Sequence, residues 1–122
     1  MEFGEEQPIY LQIANYVCEK ILLKIWKEGE RVPSVRELAV SLEVNPNTVM
    51  RTYEFLQQRE IIYNQRGVGL FISDEGIKNA TAYRKGEFMQ KELPGFFKSI
   101  TLLKIKFEEL EVMYKKYNKS KI

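Results

Sequence analysis

The chain contains no histidine and only one cysteine, Cys18. That removes the side chains on which most acid–base, nucleophilic and metal-assisted chemistry rests. A lone cysteine permits no intrachain disulfide, and a zinc site of ordinary ligands has too little to build on. Any enzyme would have to use paired carboxylates or lysines, yet the carboxylates stand mostly at helical positions with lysines nearby, as on a solvated surface. No catalytic constellation, cofactor motif or metal site follows, and a non-enzymatic role is expected. Cys18 falls in an apolar stretch and reads as a small core residue, with redox sensing as the alternative. Long apolar runs are also missing. None approaches the roughly 20 residues of a membrane-spanning helix, and the acidic opening Met-Glu-Phe-Gly-Glu-Glu is unlike a signal peptide. A cytoplasmic location is expected. A large charge of one sign is absent too, since 19 Lys and Arg face 17 Asp and Glu. Residues 1–73 carry 8 Lys and Arg against 10 Asp and Glu, net −2, and residues 74–122 carry 11 against 7, net +4. A nucleic-acid surface in the first part must therefore be a local cationic face, and one copy alone should bind weakly.

What is present is organised around Val32 to Phe71. Ser34 with Glu37 three residues on forms a capping box, and Leu38, Ala39 and Leu42 follow at helical spacing. Glu43 and Val44 lead out of that helix. Asn45 then caps a second one, and Pro46 suits its first position, where a missing N–H costs nothing. Val44 and Val49 are placed to form a hydrophobic staple. Val49, Tyr53 and Leu56 form a buried stripe, which leaves Asn47, Thr48, Arg51 and Glu54 nearer the opposite side. Two short helices joined by a tight turn, the second with a partly cationic leading edge, describe a helix-turn-helix that reads a major groove. Ile61–Asn64 and Leu70–Ser73 flank a loop with two glycines and predict a β-hairpin. Appended to a helix-turn-helix, that hairpin is a wing, with Arg66 at its tip. A short strand near Arg31–Val32 could pair with it.

These residues carry a family resemblance. Pro33-Ser34-x-Arg36-x-Leu38-Ala39, Val44-Asn45-Pro46-x-Thr48-Val49, Arg51, Tyr53 and Gly67-x-Gly69 resemble the winged helix-turn-helix of GntR-type bacterial transcription regulators, and the opening Gln7-Pro8-Ile9-Tyr10-x-Gln12-Ile13 fits as well. The short chain and the Asn-Pro-x-Thr-Val turn look most like the YtrA subgroup. Leu70 departs from the pattern, standing where the family often has a threonine. The resemblance implies a transcription regulator on double-stranded operator DNA, most plausibly a repressor, with Arg36 as a DNA ligand. From the residues themselves, Arg36 serves either a phosphate or base contact or an ion pair with Glu37 or Glu43. Arg51 serves DNA or a pair with Glu54 or Glu43. Thr48 serves phosphate or capping, and Asn47 a base edge or the turn's solvation. Ser34, Arg66 and Gly67 complete the candidate DNA-binding set.

Ahead of this core, Pro8 opens a helix predicted to reach about Trp26, with Ile9, Ile13, Val17, Ile21 and Ile25 as its inward stripe. Behind it, Asp74 is expected to cap a helical region, interrupted by Pro94 and by a turn at Lys104–Lys106, with Asn118 to Ile122 as a basic, polar, frayed end. This 49-residue tail holds 7 of the 15 aromatic residues, too many for two or three short helices to bury alone. It reads as a dimerisation region, with Tyr83, Phe88, Phe96, Phe97, Ile100, Leu103, Phe107, Leu110 and Tyr114 as the interface candidates. The expected architecture is thus mostly α with a small β-hairpin. Residues 1–73 form a winged helix-turn-helix DNA-binding domain, and residues 74–122 form a helical dimerisation tail of a homodimer. A small-molecule effector, whose identity the sequence does not give, would have to bind at the dimer interface or between tail and wing. The rival reading is a winged-helix protein-interaction module without specific DNA binding.

Overall fold

The structure, a computed structural model, describes residues 3, 4 and 7–121. It is mostly helical with one antiparallel hairpin. In order come α1 (Ile9–Leu22), α2 (Val35–Leu42), α3 (Pro46–Gln58), β1 (Ile62–Gln65), β2 (Gly69–Ile72), α4 (Gly76–Glu87), a π-helical turn (Phe88–Glu92), α5 (Leu93–Leu102) and α6 (Phe107–Lys121). The described chain divides into two compact units, one reaching as far as Lys85 and the other starting at Gly86.

In the first unit the core lies where α1, α2 and α3 meet the root of the hairpin. Ile13, Val17 and Ile21 of α1 are fully buried, as are Val49 and Leu56 of α3 and Ile61 and Ile72 beside the wing. Each such side chain contributes roughly 1.5–3 kcal/mol by leaving water. Cys18 belongs to this core, and burial pushes its thiol up to about 12. It is a packed small hydrophobe with no appreciable thiolate. The α1 stripe is shorter than predicted. A four-residue step advances 400° around a helix, so a run of such steps drifts off the core face. Ile9 and Ile25 at its ends are 45% and 54% exposed. The helix stops at Leu22 rather than near Trp26 because Lys24 turns left-handed at φ 59°. There the Lys24 N–H reaches Ile21 O at 3.0 Å and the Ile25 N–H reaches Lys20 O at 2.9 Å, the paired bonds of a Schellman stop. The same arrangement ends α2 at Glu43 and α3 at Glu60, with φ of 56° and 57°.

In the hairpin, Ile62 pairs with Ile72 and Gln65 with Gly69. Its turn is closed by Val68 N–H to Gln65 O at 2.9 Å, with Gly67 at φ 79°. That sign at the third turn position is the one a type II turn requires. The strand expected near Arg31–Val32 is present as a third, short partner. Arg31 bridges Phe71, and Val32 N–H donates to Leu70 O at 2.9 Å.

The first unit continues past the expected 73/74 boundary, because Ala80 and Tyr83 of α4 are buried in its core. In the turn that leads into α4, Ser73 Oγ accepts from Glu75 N–H at 3.0 Å. Gly76 lets α4 approach closely. A Cβ there would lie 2.8 Å from Ile72 Cγ2 and 3.2 Å from Ile61 O. Pro94 neither ends the helical backbone nor opens a detached helix. The i→i−4 bond it cannot donate is accommodated by the widened turn of Phe88–Glu92, with Leu93 N–H bonded to Phe88 O. In the second unit, α5 and α6 are joined by the turn anticipated at Lys104–Lys106, with Lys104 at φ 55°.

Two glycines in this region should respond oppositely to alanine. Gly86 has open space around its Cα, so Gly86→Ala should raise stability by up to about 1 kcal/mol through helix propensity. Gly76→Ala gains the same propensity but overpacks against Ile72 and the Ile61 carbonyl, and should lower stability by about 1 kcal/mol net. Urea unfolding of both variants checks the pair.

Candidate nucleic-acid interface

Each end of the helix-turn-helix is fixed by side chains close in sequence. Ser34 Oγ accepts from Glu37 N–H at 3.0 Å and Glu37 Oε1 accepts from Ser34 N–H at 2.8 Å. Those two Ser34 bonds, with a smaller contribution from the charge of Arg31, hold the Glu37 carboxyl below its usual value. The cap uses the oxygen of Ser34 as an acceptor, so its hydroxyl proton remains free to donate outward. At the turn, Asn45 Oδ1 accepts from Asn47 N–H at 2.8 Å and Pro46 stands at the first position of α3.

The placement of α3 depends on two adjacent hydroxyls. Thr52 is fully buried, and its Oγ1 lies 2.8 Å from Tyr10 O and 3.1 Å from Thr48 O. Tyr53 donates its O–H to Pro33 O at 2.7 Å. Burial pushes the Tyr53 phenol above its ordinary value, so it stays a protonated donor. One bond ties α3 to the start of α1 and the other ties it to the residue before the α2 cap. The reading of Tyr53 as a core residue holds. No local pattern in the sequence marks Thr52, because its partner carbonyl is 42 residues away.

Around this frame the candidate residues take different positions. Arg36, Asn47, Arg51, Arg66 and Gly67 are exposed, while Ser34 and Thr48 are half-buried. Ion pairs considered for Arg36 and Arg51 do not form: among the described residues the salt bridges are Lys78–Glu75, Lys91–Glu87 and Lys115–Glu111. Arg51 instead lies over the Tyr10 ring, 3.9 Å from its centroid. That contact pre-orders the guanidinium and leaves its charge uncompensated. Nothing in the spacing of Tyr10 within the opening motif points to Arg51.

The dimerisation candidates divide. Tyr83 is spent inside its own first unit, edge-on to Phe55 at 5.2 Å and beneath the Arg59 guanidinium at 4.8 Å. Ile100 is also buried. Phe88, Phe96, Phe97, Leu103, Phe107 and Tyr114 are 44–66% exposed and Leu110 is half-buried. Within the second unit, Phe96, Phe107, Leu110, Met113, Tyr114 and Tyr117 line an open groove of about 640 Å³.

The profile of the family described as "Bacterial regulatory proteins, gntR family" matches residues 9–72. An uncharacterized HTH-type transcriptional regulator of Bacillus subtilis, YhcF, is 35% identical over 109 residues, covering 89% of this chain and 88% of that one. The HTH-type transcriptional repressor YtrA of the same organism is 41% identical over 86 residues, covering 70% of this chain and 65% of that one. A solved GntR family transcriptional regulator from Listeria monocytogenes superposes with a TM-score of 0.73 at 33% identity, over 93% of this chain and 98% of that one.

Removing one of the two fixing hydroxyls should be felt in stability. Tyr53→Phe leaves the Pro33 carbonyl without its donor and should cost about 1–2 kcal/mol, with helix content unchanged by circular dichroism. A cost near zero in urea unfolding would mean that the carbonyl finds another donor.

Proposed function

The chain belongs to the GntR family of bacterial regulatory proteins, and from that premise we propose a transcriptional repressor that binds an inverted-repeat operator as a homodimer. It is a winged helix-turn-helix, DNA-binding transcription regulator and not an enzyme. No described helix is long and apolar enough to cross a membrane. In the proposal, α3 enters the major groove with Asn47 and Arg51 toward base edges. Ser34, Arg36 and Thr48 meet the backbone or bases beside it, and Arg66 and Gly67 at the wing tip meet phosphate or the minor groove.

One observation carries this reading. Arg36 and Arg51 are exposed with no acidic partner among the described residues, although the sequence around them holds more acids than bases. Uncompensated guanidinium groups at the leading edges of α2 and α3 match the bidentate and phosphate contacts of groove recognition. The similarity to YtrA, which is named a repressor, supports repression over activation.

The homodimer is proposed to form through the tail. Phe88, Phe96, Phe97, Leu103, Phe107, Leu110 and Tyr114 would cover one another across a two-fold axis, while Tyr83 is assigned to the core. An apolar surface this extensive is unusual on a monomer. A two-fold dimer would set half-site centres about one helical turn apart. A small-molecule effector, if one acts, has no dedicated domain within these residues and would take a groove such as the one beside α6.

Two measurements test the proposal. Light scattering at micromolar concentration should give about twice the 14.4 kDa chain mass; a monomer at high concentration would contradict the dimer. With duplexes selected from a random pool, Arg36→Ala and Arg51→Ala should each cost about 1–3 kcal/mol per site. If both bind selected duplex as tightly as wild type, the DNA face lies elsewhere.

A further inference from the structure

Arg31 stands outside the residues assigned above. It lies on the short strand beside β2, where alternation turns Val32 into the core at 3% exposure and leaves Arg31 exposed. Its side chain runs along the wing to Gly69. A Cβ added at Gly69 would meet Arg31 Nε at 2.8 Å, Nη2 at 3.2 Å and Cζ at 3.3 Å. The guanidinium therefore fills the space that a side chain at Gly69 would need, at a residue whose φ of 142° already favours glycine. On its other side Arg31 is close enough to the Ser34–Glu37 cap to act on the Glu37 carboxyl through its charge. No carboxylate among the described residues pairs with it.

We propose that Arg31 is a further DNA phosphate ligand, its guanidinium held between the wing and the first turn of α2 by the bare backbone of Gly69. The assignment rests on the reading that Ser34, Arg36 and Arg66 face DNA, because Arg31 lies between the elements that carry them. A guanidinium presents a planar fork of donors to two phosphate oxygens. Packing on Gly69 orders that fork before DNA arrives, so less side-chain freedom is lost on binding. It also gives the second glycine of Gly67-x-Gly69 a task of its own. Gly67 closes the turn, and Gly69 makes room for an arginine from another strand. The bond is to backbone, so Arg31 adds affinity on every sequence and leaves base preference alone.

The test uses the full chain, a selected duplex and a random duplex of equal length, across a salt series. Arg31→Ala should weaken both duplexes by about tenfold and flatten the slope of log K against log salt by about 0.9 per protomer. Arg31→Lys should keep the slope and recover only part of the affinity. Gly69→Ala, which displaces the guanidinium and also strains the wing backbone, should cost clearly more in wild type than in the Arg31→Ala background, the non-additivity of one shared contact. Thermal unfolding of each variant separates lost binding from lost fold, and Arg31→Gln replaces Arg31→Ala if the latter unfolds. An unchanged affinity and slope for Arg31→Ala, while Arg36→Ala and Arg66→Ala weaken binding, overturns this assignment alone. Gly69→Ala costing as much without Arg31 as with it also overturns it, because the glycine would then serve only the wing backbone. Silence of all three arginines overturns the underlying DNA face as well.

Discussion

Two hydroxyls side by side on α3 hold in place the helix proposed to read DNA. Thr52 reaches the carbonyl of Tyr10 and Tyr53 reaches that of Pro33. Apolar packing of Val49 and Leu56 supplies most of the free energy that seats α3, but packing alone is tolerant of small slides and rotations. Directed hydrogen bonds are less so: moving α3 would break two part-buried bonds and leave their hydroxyls without these acceptors. The positions of Asn47 and Arg51 follow from that constraint. So does the start of α2, because Pro33 immediately precedes the Ser34 cap. Tyr10 is used twice, its carbonyl for Thr52 and its ring for Arg51. The first turn of α1 thus orients both the helix and the charge it presents.

Charge explains why such seating matters. A regulator with a strongly basic face can rely on many loose lysines, each worth little. Here the described part of the winged unit places a few arginines at exposed points with no acidic partner, although residues 1–73 carry a net charge of −2. On the proposed reading, affinity then depends on geometry: guanidinium forks held in advance by Tyr10 in one case and by Gly69 in the other. It also favours two copies on one site, which the exposed aromatics of α5 and α6 would supply.

Much of this was legible in the sequence where the physics is local. The Ser34–Glu37 box, the Asn45-Pro46 start and the stripe of Val49, Tyr53 and Leu56 each follow from spacing over a single turn or two, and each is found. The hairpin followed from β-prone runs around a glycine-bearing loop. Helix ends were less legible. Lys24, Glu43 and Glu60 adopt the left-handed stop usually signalled by glycine, so the end of α1 was placed too late. Pairings between distant segments left no periodic trace, which is why Thr52 with Tyr10, Arg51 with Tyr10 and Arg31 with Gly69 emerge only in three dimensions. Tyr83 shows the limit of counting aromatics. Its place in the tail suggested an interface, whereas its contacts with Phe55 and Arg59 put it in the core.

The central claim is that recognition depends on how α3 is seated as well as on the groups it shows to DNA. Thr52→Val tests this most directly, because it keeps side-chain shape, removes one buried hydroxyl and alters nothing exposed. Its affinity should be measured against a selected and a random duplex at one salt concentration, with the fold verified by circular dichroism. The account predicts a loss on the selected duplex well beyond that on the random one. Wild-type discrimination in a folded Thr52→Val protein would contradict it.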